Sequence, residues 1–159
     1  MRFGRVGSVV AAIAPVASAG VAGSLVTQPA IPGWYAGLAK PWYTPPNWAF
    51  APAWTILYAL MAYAFWRILV LPRATPGKGG AIAAFLVQIA LNGLWSFAFF
   101  GLRSPAAGLV VIAFLCLAIA TTFDLFRRLD RAASWLLAPY LAWTSYAAAL
   151  NAGVWLLNR

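Results

Sequence analysis

Residues 34–58 read WYAGLAKPWYTPPNWAFAPAWTILY and lie between two long apolar runs. They crowd Trp34, Trp42, Trp48 and Trp54 beside Pro41, Pro45, Pro46 and Pro52. Proline fixes φ and withdraws a backbone donor, so this segment is stiff and suits neither a strand nor a long helix. Each tryptophan brings a large flat apolar face and one N–H that needs a partner. A stiff aromatic loop of this kind is either an interfacial anchor in a membrane or the lid of a pocket for a flat apolar molecule.

Composition sets the class around that loop. The 159 residues are 64% hydrophobic and 8% charged, with mean hydropathy +0.83, far beyond a soluble domain. A bilayer core of about 30 Å needs about 20 apolar residues per helix. Five such segments can be drawn, at about 6–27, 48–71, 80–102, 105–129 and 132–157, with the Trp/Pro loop at 28–47. The expected architecture is all-α: one polytopic membrane domain, a bundle of five transmembrane helices. Membrane barrels read as alternating segments of about ten residues, and these continuous runs do not.

The net charge of +9 is distributed as topology requires. Five spans put Arg2, Arg5, Arg67, Arg73, Lys78, Arg127, Arg128 and Arg131 on one side, against Lys40, Arg103 and Arg159 on the other. The positive-inside rule then predicts a cytoplasmic N-terminus with the Trp/Pro loop outside. Basic groups placed singly at helix ends do not make a nucleic-acid surface, so no nucleic-acid partner is expected and membrane lipid is. Long helical spans favour a bacterial inner membrane, since outer-membrane proteins are mostly barrels. Arg2, Arg5, the following apolar stretch and Ala17-Ser18-Ala19 also fit a secretory leader with a small-residue cleavage site. The run continues apolar to spanning length through residue 27, and the spanning reading is the one taken. Ala11, Ala19 and Gly23 put small residues on one face of that span, where helices approach closely.

Conventional chemistry has little to work with. The chain has no histidine, one cysteine (Cys116) and two acids, Asp124 and Asp130. No metal site can be assembled, no cofactor is expected, and neither a Ser-His-Asp arrangement nor a carboxylate pair is available. Asp124 lies one turn from Arg127 and Arg128 and reads as a neutralised helix end.

Polar groups inside the spans carry more information. Gln88, Asn92, Trp95 and Phe99 share one face of the third span, and Trp143, Ala147 and Asn151 one face of the fifth, with Leu150 alongside. Trp54, Tyr58, Met61 and Phe65 form a third stripe in the second span. Polar side chains in hydrocarbon turn inward and find partners. Such stripes describe either inter-helix bonding and aromatic packing or the lining of a small-molecule pocket. Pro139 in the fifth span removes a helix hydrogen bond and favours a kink beside Trp143. Trp66, Trp135 and Trp155, near span ends, fit an interfacial belt.

Three stretches together carry a family resemblance: residues 34–61 (WYAGLAKPWYTPPNWAFAPAWTILYALM), 88–101 (QIALNGLWSFAFFG) and 139–151 (PYLAWTSYAAALN). In order and spacing they resemble the translocator protein family, also called tryptophan-rich sensory protein or peripheral benzodiazepine receptor. The resemblance implies a five-helix bundle, usually a homodimer, with a pocket under the first loop that takes porphyrins, cholesterol or benzodiazepine-type drugs. By resemblance, Tyr35, Pro45, Trp54, Tyr58, Asn92, Trp95, Trp143, Ala147 and Leu150 fall at pocket positions. Trp54 and Trp143 match two tryptophans linked in some bacterial members to light-dependent porphyrin breakdown, and would be catalytic if that activity is real. The animal members' sterol pattern is broken here, because no tyrosine separates Leu150 from Arg159. Leu60, Tyr63 and Arg67 satisfy the same loose pattern elsewhere. The expected function is a membrane-embedded binding protein for porphyrins or other flat apolar molecules, acting as sensor, carrier or scavenger. Gln88, Asn92 and Tyr35 would orient the ring's edge. The alternatives are a light- and oxygen-dependent porphyrin-degrading enzyme, and a sterol or tetrapyrrole transporter.

Overall fold

The computed structural model describes residues 5–159; Arg2 and the side chain of Arg5 lie outside what it describes. Five long helices account for most of it: α1 (Arg5–Ala30), α2 (Phe50–Leu69), α3 (Lys78–Ser96), α4 (Pro105–Leu129) and α5 (Arg131–Leu157). Neighbour packing closes them into a ring in the order α1, α2, α5, α4, α3. Four of the spans are long and apolar enough to cross a membrane. The fifth, α5, has ample length at 27 residues, about 40 Å. Its Trp, Tyr, Asn and Ser content dilutes its hydropathy, and several of those groups turn inward.

The bundle turns its few intramembrane polar groups inward and its outer faces are apolar, as a membrane solvent demands. Gln88, Asn92, Thr144 and Asn151 are buried, while Leu25, Ile56, Phe114 and Leu117 are exposed on the outer faces. One half of the interior is filled. Phe65 stacks on Phe85 with ring centroids 4.1 Å apart, and Phe85 on Phe126 at 5.9 Å. Around them Met61, Ile68, Ile119 and Leu137 are fully buried. The expected stripe of Met61 and Phe65 is part of this packed half.

Charged groups pin the helix joints at that end. The Lys78 ammonium donates to the carbonyls of Leu69 (2.8 Å) and Leu71 (2.6 Å), which caps the C-terminus of α2 with a cation. Gly77 precedes it at φ 81°, a left-handed turn that glycine adopts without strain. Asp130 caps α5 by accepting from the Ala133 N–H (3.1 Å) and pairs with Arg67 at 2.8 Å. Asp124 pairs with Arg127 and Arg128, the neutralised helix end. At the opposite end, Ser104 caps α4 by accepting from Ala107.

The other end departs from the expected boundaries. Helix α1 continues past residue 27, through Pro29, to Ala30, and a wide π-helical turn carries it on over Ile31–Tyr35. A second π-helical turn, Phe97–Gly101, ends α3. The Ala36 N–H donates to Ile31 (3.1 Å) and the Leu102 N–H to Phe97 (2.8 Å), each spanning five residues. Such turns re-aim side chains by widening the helix. Here they deliver Tyr35, Phe99 and Phe100 to the same place. Helix α5 runs through Pro139 without a break.

Candidate functional site

Above the packed half, toward the Trp/Pro loop, the bundle opens into a cavity of about 730 Å³. Four helices wall it, and α4 contributes nothing. The α1 wall is small and slightly polar, with Gly20, Gly23, Ser24 and Gln28; the others bring aromatic faces from Phe50, Trp54, Tyr58, Trp95, Phe99 and Phe100. Glycine is required at Gly20, where a Cβ would lie 2.8 Å from Cε2 of Tyr58. A volume of this size, with mostly apolar walls and a few polar groups, lies within the range of small-molecule sites.

Two hydrogen-bonded chains hold the walls. The Tyr58 hydroxyl donates to Oδ1 of Asn92 (3.1 Å), and Nδ2 of Asn92 donates to the Tyr140 hydroxyl (3.0 Å), tying α2, α3 and α5 together beneath the cavity. The Trp95 indole N–H donates to Oδ1 of Asn151 (3.2 Å), whose Nδ2 donates to the Pro105 carbonyl (2.7 Å). Trp54 lies against Tyr58 with centroids 5.3 Å apart, and Trp95 stacks on Phe99 at 5.9 Å. These rings are fixed by packing before any ligand arrives.

The loop covering the mouth is strapped to α5. Asn158 accepts from the Ala39 N–H (3.0 Å) and donates to the Ala39 carbonyl (2.9 Å). Tyr43 donates to the Ala149 carbonyl (3.2 Å), and Tyr146 donates to the Tyr43 carbonyl (2.6 Å). The Lys40 ammonium lies 4.7 Å from the Tyr35 ring centroid. It is the one basic side chain beside the mouth among the described residues of this loop.

Of the residues singled out from sequence, Tyr35, Trp54, Tyr58, Trp95, Ala147 and Leu150 all line this cavity. Asn92 is one layer behind, as the anchor of Tyr58. Gln88 is a further turn down α3, fully buried, with neither amide atom bonded to a protein group. Trp143 is one turn below the α5 wall, packed edge-on to Phe50 (6.0 Å) and against Tyr146 (5.9 Å). Pro45 is half-buried in the loop and outside the wall. The α1 wall and the pair Phe50 and Phe100 were not anticipated; the small residues of α1 signalled close packing and gave no hint of a cavity. Trp66 stacks on Tyr63 at 5.8 Å and is half-buried, whereas Trp135 is exposed as a belt residue would be. No cluster of three or more His, Cys, Asp or Glu that could hold a metal occurs among the described residues.

The sequence that builds this site has relatives among known proteins. The model of the TspO/MBR family matches residues 11–156. The chain belongs to the TspO/MBR family. A tryptophan-rich protein TspO from Archaeoglobus fulgidus is 43% identical over 152 residues, 94% of this chain and 95% of that one. The tryptophan-rich sensory protein of Cereibacter sphaeroides is 42% identical over 125 residues, 79% of this chain and 77% of its own. The human translocator protein is 36% identical over 127 residues, 79% of this chain and 75% of its own. This TspO/MBR member is an integral membrane protein, by family and by its apolar helices.

Proposed function

We propose that this chain binds flat, apolar polycyclic molecules, porphyrins foremost, in the cavity beneath the Trp/Pro loop. The observation that carries the reading is the convergence of Tyr35, Trp54, Tyr58, Trp95, Phe99 and Phe100 on one space of about 730 Å³. Fixed ring faces suit a flat macrocycle by stacking and area burial. Ser24, Gln28 and Asn47 on the wall offer hydrogen bonds to its edge, and a porphyrin's carboxylates suit the mouth, beside Lys40. Binding without chemistry is the simplest role, as sensor, carrier or scavenger. The photo-oxidative alternative draws less support, because Trp143 stands off the wall and meets the cavity through Phe50. The basic groups at the α2–α3 and α4–α5 joints, Arg67, Lys78 and Arg127 among them, support a cytoplasmic side there and an outer mouth.

The test is a dark titration of the protein in nanodiscs with protoporphyrin IX, followed by the porphyrin's own absorbance. One saturable site per chain is expected. Trp54→Ala should weaken it about five- to tenfold by loss of one stacked ring, and Leu150→Trp, which fills the cavity, should abolish it. Non-saturating uptake, equal in all three proteins, would rule the reading out.

A further inference from the structure

A second concavity, about 620 Å³, follows the outer seam between α1 and α2. Val9, Ile13 and Val16 form one side and Ala59, Ala62 and Tyr63 the other, with Trp66 at the far end. It differs from the cavity in chemistry. Its lining is wholly aliphatic or aromatic, without the Ser, Thr, Gln and Asn groups of the cavity wall. It also differs in place. Val9 and Ile13 are 43% and 49% exposed on the face the bundle turns to lipid.

The two spaces abut. Ala17 and Tyr58 belong to the lining of both, and they are the residues the two share. The Tyr58 ring packs on α1 at Gly20, while Ala17, a turn further down, is exposed and has only a methyl group, so the border between the two spaces is thinnest there. Along α1, the groove covers the run from Val9 to Ala17, about 12 Å of helix. A ring lying in the cavity would therefore have, at its lower edge, a narrow apolar channel leading down the membrane-facing seam.

Resting on the reading of the cavity as a site for flat apolar rings, we propose that this groove is the subsite for a hydrocarbon tail attached to that ring. The ligand class becomes a polycyclic head esterified or alkylated with a long chain, the head among the aromatic side chains and the tail along α1 and α2. In a bilayer the tail gains no hydrophobic free energy by leaving lipid, so its preference rests on packing against the groove walls. The expected effects are correspondingly modest, and the test is a ratio.

Two probes with the same ring and charge, the monomethyl and monododecyl esters of protoporphyrin IX, would be titrated against the full chain in nanodiscs. The variants Ile13→Trp and Ala59→Phe fill the groove from opposite walls, and Leu117→Trp puts the same bulk on the lipid face of α4. Each variant is first checked for an unchanged helical spectrum and thermal midpoint; either groove variant alone suffices. The affinity ratio of dodecyl to methyl ester should fall at least about threefold in the groove variants and hold in Leu117→Trp. The methyl ester should bind all four proteins alike. An equal ratio throughout would put the tail in ordinary lipid and overturn the subsite. Weaker methyl-ester binding in the groove variants would overturn it too, because the groove would then belong to the ring's own site. If neither ester saturates wild type, the cavity reading fails and takes the tail site with it.

Discussion

At the scale of single residues, Asn151 shows how a polar group earns a place in a membrane core. It is 2% exposed, accepts from the Trp95 indole and donates to the Pro105 carbonyl, so one side chain fixes a cavity ring and the first turn of α4. Space is tight as well, since a Cβ on Gly108 would lie 2.8 Å from its Oδ1. Asn151→Leu removes both bonds, adds bulk, and leaves the part-buried Trp95 indole N–H without its partner. The expected loss is about 1–3 kcal/mol, read as a lower thermal midpoint, with a shift in Trp95 emission as its indole loses its partner. An unchanged midpoint and emission would mean that Trp95 is held by packing alone. Much at this scale was legible in the sequence, because an amide in hydrocarbon must turn inward, and Asn92 and Asn151 did. Spacing alone could not rank them by depth. Trp143, Ala147 and Asn151 share a face of α5, yet Trp143 packs behind Phe50, which stands between it and the cavity.

At the scale of elements, the loop at 36–46 behaves as part of α5. Pro41 and Tyr43 sit so close to Gly153 that a Cβ there would collide with both, and Asn158 clasps Ala39 from the end of the helix. Asn158→Ala should free the loop without altering the bundle. Chymotryptic cleavage at Trp42 and Tyr43 is expected to rise about fivefold or more, the weight of about 1 kcal/mol of local opening, with helix content unchanged. Cleavage at the wild-type rate would show that Tyr43, Tyr146 and the Gly153 contact hold the loop by themselves. The helices themselves were legible from apolar runs of spanning length; α4 occupies Pro105–Leu129, the same residues the sequence marks. The two π-helical turns were not. They change which carbonyl a backbone N–H meets and leave composition and periodicity almost untouched, so nothing in the residues announces them. The apolar run ends at residue 27, but the chain keeps helical geometry to Tyr35, through Pro29 and Pro32, where Trp34 and Tyr35 pack on Phe99 and Phe100.

The whole molecule has two unlike ends. The mouth end is aromatic and ends in the cavity, while the joint end is basic and carries both acids of the chain, Asp124 and Asp130. With no histidine, those two carboxyls are the side chains that titrate in mild acid. Asp130 joins α4 to α5 and reaches across to α2. Its burial pushes its carboxyl upward, but the Ala133 N–H and the Arg67 guanidinium outweigh that and hold it below the ordinary carboxylate range. A carboxyl held low in the folded state favours folding above its unfolded value near 4, and that contribution fades as pH falls through the folded value. The thermal midpoint should therefore be level from neutrality to about pH 5 and decline below about pH 4. Asp130→Asn should lower the midpoint at pH 7 by a few degrees, at about 2–4 °C per kcal/mol lost, and flatten most of the acid decline. Asp124→Asn, which breaks only exposed pairs with Arg127 and Arg128, should leave both nearly unchanged. If the decline persists in Asp130→Asn and vanishes in Asp124→Asn, the surface pairs rather than the α2–α4–α5 joint hold the basic end together in acid.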